Sequence, residues 1–326
     1  MRRLEQVLFP TDFSAAAQQA MPAAVEIAAA AGAELHVFHA LVLHEHGPDG
    51  NDARLRELER EIANRAETYA EQQLLDLQGV AGGVQRDGAR DAVPGRVPAA
   101  SIARIVTAQR RATSAADGIL DHARRLQPDL IVMGTHGRRG ASHLLLGSAA
   151  EEVVRYADCP VLTVREGVGA RMLSEGRRFL VPVDFSRHSA RALEMARVFA
   201  AQAQARIDLL HVIEQIVHPA FYTTGKSSLL QLDPRLADRC RENLEKLAEE
   251  ADGPDVPIDY HVVEGRAVRD IVTFAEQHHS DAVVIATHGL TGLPHFLLGS
   301  VAEKVVRRAP CPVLTHKAFG RSFTQD

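Results

Sequence analysis

Short apolar runs alternate with longer amphipathic or alanine-rich stretches along almost the whole chain, and that alternation predicts strands followed by helices. Val7 to Phe9 is a compact apolar run closed by Pro10-Thr11-Asp12, as a buried parallel strand is before a turn. Ser14 then offers an N-cap to an alanine-rich helix over Ala15 to Ala31. A second strand is predicted from Glu34 to Leu43, and a charged helix from Asp52 to Leu77 with acidic and basic residues at helical spacing. Ile105 to Arg110 reads as a third strand, Ala115 to Leu126 as a helix and Leu130 to Met133 as a fourth strand. A helix over Ser148 to Tyr156 and a strand over Val161 to Val164 complete this set.

The same order then returns. Strands are predicted at Phe179 to Val183, Arg206 to Ile213, Ile258 to Val263, Ala282 to Ile285 and Val313 to His316. Between them lie helices at Ala190 to Ala203 (behind Ser186), Pro234 to Glu250, Val268 to His278 and Ser300 to Arg308. The repetition is also literal. Leu8-Phe9-Pro10-Thr11-Asp12-Phe13-Ser14 reappears as Leu180-Val181-Pro182-Val183-Asp184-Phe185-Ser186, an offset of 172. Thr135-His136-Gly137, Leu145-Leu146-Gly147-Ser148 and Cys159-Pro160-Val161-Leu162-Thr163 reappear from Thr287, Leu297 and Cys311, each at an offset of 152. The difference between 172 and 152 places about twenty extra residues inside the first copy. Gly79 to Ser101, with five glycines and two prolines, is the expected loop insertion.

These patterns predict an α/β protein of two tandem Rossmann-like domains, each a five-stranded parallel sheet with right-handed crossovers and helices on both faces. The expected boundaries are 1–165 and 178–318, with a linker at 166–177 and a tail at 319–326. In such sheets ligands bind beyond the carboxyl ends of the strands, where Asp12 and Asp184 fall.

Composition narrows the partners. A chain of 326 residues with 46% hydrophobic and 24% charged residues fits two ordinary soluble domains. Its formal net charge of -5, with Lys and Arg dispersed, argues against nucleic acid and anionic membranes as partners. No stretch approaches a membrane span, and Glu5 and Asp12 interrupt any apolar signal core, so a cytoplasmic location is expected. Cys159 and Cys311 occupy matching places before a proline and read as small semi-buried residues in a reducing compartment. No C-x-x-C zinc spacing occurs.

The chemistry concentrates after the fourth strand. Gly134-Thr135-His136-Gly137 is followed by nine residues, Arg138 to Leu146, and then by Gly147-Ser148. A glycine there lets a phosphate approach the backbone and tolerates positive φ. A helix opening at Gly147-Ser148 points free N–H groups and its positive dipole end at an anion. This G-x-x-G, nine residues, G-S/T pattern resembles the signature of ATP-binding universal stress proteins, and the likeness extends from Pro-x-Asp-Phe-Ser to Cys-Pro-Val-Leu-Thr in both halves. The separation of 27 residues between Asp12 and His39 recurs between Asp184 and His211.

The resemblance implies an adenine nucleotide hydrolase-like fold and a regulatory ligand, ATP or ADP/AMP, with Mg accompanying the phosphates. It implies that Asp12 with Ala40, and Asp184 with Val212, hold the adenosine. Pro10, Thr11, Met133, Gly134, His136, Gly137, Arg138, Gly147, Ser148 and Ala149 complete the nucleotide set of the first copy. Ala286, Gly289, Gly299, Ser300 and Val301 do so in the second. It further implies that Val161 to Val164 and Val313 to His316 join the copies as a pseudo-dimer, and a homodimer is compatible with it.

Other readings stand beside this one. Ser148-x-x-Glu151 and Ser300-x-x-Glu303 have the spelling of capping boxes, which need no ligand. The second copy replaces the first glycine by Ala286, and the first copy has Thr113 where the second has Gly265. A nucleotide-free interaction module and a slow ATPase remain the alternatives, although no nucleophile, base and orienting acid assemble around His136 or His288. The S-G-G-x-D-S and H-x-G-H signatures of related adenine-nucleotide enzymes are absent. Ala220 to Ser227 imitates a Walker A loop but lacks the glycine-rich turn between a strand and a helix, and reads as a surface loop. His36, His39, His44 and His46 resemble a metal cluster only in sequence, because His36 and His39 face opposite sides of a strand.

Overall fold

The computed structural model describes residues 4–42, 52–81, 102–135, 146–168, 172–173, 176–214, 228–288 and 298–317. The first half contains β1 (Gln6–Pro10), α1 (Ala15–Ala31), β2 (Glu34–Val42), α2 (Asp52–Ala81), β3 (Arg104–Ala112), α3 (Ala115–Leu126), β4 (Leu130–Gly134), α4 (Ser148–Tyr156) and β5 (Val161–Val164). The second contains β6 (Arg178–Val183), α5 (Arg187–Gln202), β7 (Arg206–Glu214), α6 (Leu229–Leu232), α7 (Leu236–Glu250), β8 (Ile258–Gly265), α8 (Ala267–Gln277), β9 (Ala282–Ala286), α9 (Ser300–Arg308) and β10 (Val313–His316).

Each predicted strand is present, and the third strand of each half is longer than expected. The short α6 was not anticipated; Ser228 caps it, its Oγ accepting from the Gln231 N–H at 3.4 Å, and the Glu264 carboxylate also accepts from the Leu229 N–H at 2.7 Å. The helix α2 carries through Gly79 to Ala81, so the glycine-rich stretch does not begin as a loop there. The rest of that stretch, and the Walker-like segment, lie outside the described residues.

The ten strands form one sheet in the order β3-β2-β1-β4-β5-β10-β9-β6-β7-β8. Within each half every pairing is parallel, and the two halves meet where β5 runs antiparallel to β10. At this seam Val161 faces Thr315, Leu162 faces Leu314 and Thr163 faces Val313. Thr163 Oγ1 donates to Val313 O at 3.2 Å, and Thr315 Oγ1 donates reciprocally to Val161 O at 3.0 Å. Buried hydroxyls are thereby satisfied inside an otherwise apolar strip.

Alternation along the strands divides the interior into two cores, one on each sheet face. Leu162 and Leu314 lie in one and Val161 and Val313 in the other, so both cores cross the seam. Alanine dominates the buried face of α1, which brings this helix close to the sheet. Ser14 caps it as expected, its Oγ accepting from Ala17 N–H at 3.3 Å, and Ser186 does the same for α5 through Ser189 N–H at 3.2 Å.

Candidate functional site

The strand order reverses direction between β1 and β4 in the first half, and between β6 and β9 in the second. That is the topological switch point of an open α/β sheet. Asp12 follows β1 there, Gly134 ends β4 beside it, and α1 and α4 both begin at this edge.

A repeated set of bonds fixes each aspartate. Asp12 Oδ1 accepts from the Ser14 N–H at 3.0 Å, and Asp184 Oδ1 accepts from the Ser186 N–H at 3.0 Å. Between them Phe13 and Phe185 adopt φ of 62° and 63°, a left-handed conformation costly for an aromatic residue. Each ring lies against a histidine, Phe13 on His39 at 4.9 Å and Phe185 on His211 at 4.4 Å. Each histidine donates from Nδ1 to the carbonyl before the aspartate: His39 to Thr11 O at 2.7 Å, His211 to Val183 O at 2.9 Å. These bonds hold the turn that aims the carboxylate. The constant 27-residue spacing was the signal for this role, which residue types alone did not convey.

The glycine motif closes at a neck. Thr135, 1% exposed, donates its N–H to Val164 O at 2.9 Å and accepts the Gly147 N–H at 2.8 Å. Thr287 repeats this with His316 O at 2.9 Å and the Gly299 N–H at 2.7 Å. The intervening His136, Gly137, Arg138 and Gly289 lie outside the described residues.

Two expectations about this motif are corrected. The caps of α4 and α9 are Gly147 and Gly299, without a side-chain cap bond, so Ser148 and Ser300 are first helical residues rather than capping-box serines. Glu151 and Glu303 instead accept from Arg155 and Arg307 one turn on, each at 3.0 Å. The S-x-x-E spelling is the same either way, because it does not reveal which residue leaves helical φ/ψ. Gly134 also has a packing role. A Cβ there would lie 2.7 Å from the backbone carbon and oxygen of Ala16, so the glycine admits α1 against β4. Among the described motif glycines, Gly147 and Gly299 do not supply positive φ, at -62° and -57°.

Pro10, Thr11, Ala40 and Met133 are buried around the first switch point, while Ser148 is exposed at the start of α4. Among the described residues no backbone hydrogen bond engages the N–H groups of Ser148 or Ala149. In the second copy Asp184 and Val212 are half-buried, Ala286 is buried, and Ser300 and Val301 open α9. The two sites differ in charge as well as in the added methyl. His188, Arg191, His288 and His316 gather around the second neck; the equivalent positions in the sequence of the first copy are Ala16, Gln19, His136 and Val164. Burial, with Arg191 and His188 nearby, pushes His316 down to about 4. The Thr113 and Gly265 difference also has a structural outcome. Thr113 Oγ1 donates to Asp117 at 2.6 Å, whereas Gly265 leaves room for the Asp270 carboxylate to accept from the Arg266 N–H at 2.5 Å.

Cys159 and Cys311 are both buried, and burial pushes the Cys311 thiol up to about 12, which makes it a poor nucleophile. Among the described residues no group of three or more His, Cys, Asp and Glu side chains is placed to hold a metal, and His36 bonds Glu34 at 3.2 Å. A cavity of about 370 Å³ opens at the other end of the sheet, between the carboxyl ends of α3 and α4. It lies away from the switch point and shares none of its residues.

This is the architecture of an α/β protein of two repeated halves on one sheet, each half with its own switch point. The profile of the universal stress protein family matches residues 4–165 and again 176–317, and the chain belongs to that family. It is 33% identical over 141 residues to a universal stress protein of Methanocaldococcus jannaschii, covering 43% of this chain and 82% of that one. A universal stress protein of Mycobacterium tuberculosis is 28% identical over 191 residues; the match covers 58% of this chain and about three fifths, 61%, of that relative. A universal stress protein structure from Archaeoglobus fulgidus superposes over 96% of both chains with a TM-score of 0.58 at 19% identity, which supports the fold. Among the described residues no helix is long and apolar enough to cross a membrane.

Proposed function

We propose that the chain binds ATP, or ADP or AMP, as a regulatory ligand in a stress response, chiefly in its first copy. The supporting observation is the pairing at one switch point of a fixed carboxylate, Asp12, with an α4 N-terminus that has no side-chain cap. The carboxylate suits ribose hydroxyls, beside the buried Ala40 and Met133. The N–H groups of Ser148 and Ala149 suit phosphate oxygens, and the helix dipole adds to the attraction. His136, Gly137 and Arg138 would complete the phosphate side. Magnesium would enter with the phosphates, held mainly by them. The sequence divides into domains at 1–165 and 178–318 in this reading, and the chain works in the reducing cytoplasm.

In this reading occupancy rather than turnover is the signal. The second copy is the weaker site: Ala286 adds a methyl at the strand end, although Asp184 and the Gly299 neck are preserved. Acid extraction of protein purified without added nucleotide, with chromatography of the extract, identifies ligand and stoichiometry together. One adenine nucleotide per chain is expected. An empty extract, with no heat on titration with Mg-ATP, would instead support an interaction module.

A further inference from the structure

Each half of the molecule ends in a cation that crosses the seam. Arg165 follows β5 and donates from Nη1 to Arg308 O at 3.2 Å and to Ala309 O at 3.0 Å, at the carboxyl end of α9. Lys317 follows β10 and donates from Nζ to Val154 O, in the last turn of α4. Carbonyls at a helix end lack intrahelical partners and carry the negative end of the dipole, so both cations sit where charge and hydrogen bonding favour them. Lys317 is 7% exposed, and burial pushes it down to about 8. A buried cation is retained only where its partner is well placed.

The same residues lie one peptide from the necks. Thr135 N–H is bonded to Val164 O, directly before Arg165, and Thr287 N–H to His316 O, directly before Lys317. From the first neck, Arg165 therefore reaches the far end of α9, whose near end is Gly299 in the second neck. From the second neck, Lys317 reaches the far end of α4, whose near end is Gly147 in the first. Each nine-residue helix is a stiff rod about 13 Å long. Glu151 links the two rods sideways, with Arg307 at 3.8 Å and Arg155 at 3.0 Å.

We propose that Arg165 and Lys317 are positioning residues that couple the two necks, so that a nucleotide held at one copy orders the helix N-terminus of the other. This rests on the nucleotide reading above. An anion drawn onto the first turn of α4, and a neck tightened around Thr135, restrain Val164 and Arg165. Arg165 then restrains α9 from its carboxyl end. Coupling of this kind is reciprocal, so a ligand at the second neck acts on α4 through Lys317 by the same factor.

Hydrogen exchange with Mg-ATP tests the coupling in an Asp184→Ala background, which silences direct binding at the second copy. Exchange in Ser300–Arg308 is expected to slow about fivefold on saturation, the lower end of ordinary coupling between sites. Arg165→Ala should abolish that slowing and leave the slowing in Ser148–Tyr156 intact, while Arg165→Lys restores part of it. If the alanine variant is too unstable to measure, Arg165→Met keeps the packing of the stem without the donor. Slowing confined to the first copy, or equal in α9 with and without Arg165, overturns the coupling and leaves nucleotide binding standing. Absence of both heat and slowing overturns the nucleotide reading, and the coupling with it.

Discussion

Single residues decide whether each switch point is shaped to receive a ligand. Gly134→Ala would set a methyl 2.7 Å from the Ala16 backbone, and backbone has no rotamer to yield. Overpacking of that kind costs about 1–3 kcal/mol, which chemical denaturation would register as a lower midpoint at constant slope. A change below about 0.5 kcal/mol would mean that α1 moves aside freely. His39→Leu removes the donor from Thr11 O and leaves a buried carbonyl unmet, at a cost of about 1–3 kcal/mol. It should also weaken Mg-ATP binding in calorimetry, because the Asp12 turn loses its brace. His316 sets a pH dependence. Its folded value of about 4 lies below the ordinary 6.5, so the unfolded chain takes up the proton first. Stability from this group is full above about pH 6.5 and is lost as pH falls toward 4. His316→Val, which copies Val164, should narrow the difference in thermal midpoint between pH 7 and pH 5.

At the scale of elements, α4 presents a test that separates binding from folding. Ser148 is its first residue, where proline suits the helix and removes an N–H that no intrahelical bond uses. Ser148→Pro should therefore leave the thermal midpoint nearly unchanged. It should also weaken Mg-ATP binding by about tenfold, the worth of one charge-assisted hydrogen bond. Unaltered affinity would remove the α4 N-terminus from the site. The elements themselves were legible because a buried parallel strand and an alanine-rich helix write their periods plainly, as in Val7 to Phe9 and Ala15 to Ala31. The position of the α4 cap was not, since S-x-x-E fits a serine on either side of the helix boundary. Left-handed Phe13 and Phe185 were hidden for the opposite reason: aromatic side chains argue against that conformation, and only the bracing histidines make it tenable. The crossed bonds of Arg165 and Lys317 depend on an antiparallel register between strands about 150 residues apart, which no local pattern contains.

Across the whole molecule, the seam is nearly self-complementary. Thr163 and Thr315 exchange equivalent bonds, and Arg165 and Lys317 perform equivalent caps. The first half expressed alone exposes β5 as an unpaired apolar edge, the surface that invites another strand. It should elute as a dimer in gel filtration, with Arg165 of each chain capping the other's α4. A stable monomer at micromolar concentration would show that β5 needs β10 specifically. The whole chain gains no such edge at the seam, and its outer edges are β3 and β8.

The covalent join between the halves has an evolutionary consequence. In a symmetric pair of separate chains, any replacement appears at both sites at once, so neither can change its affinity without the other. Here the strand end carries Gly134 in one half and Ala286 in the other, and Arg191 in one half stands where the other has Gln19, on a shared sheet. Tethering also frees the pairing from dilution, since the partner is always present at high local concentration. A join of this kind lets one site change while its twin stays as it is, without dissolving the partnership at the seam.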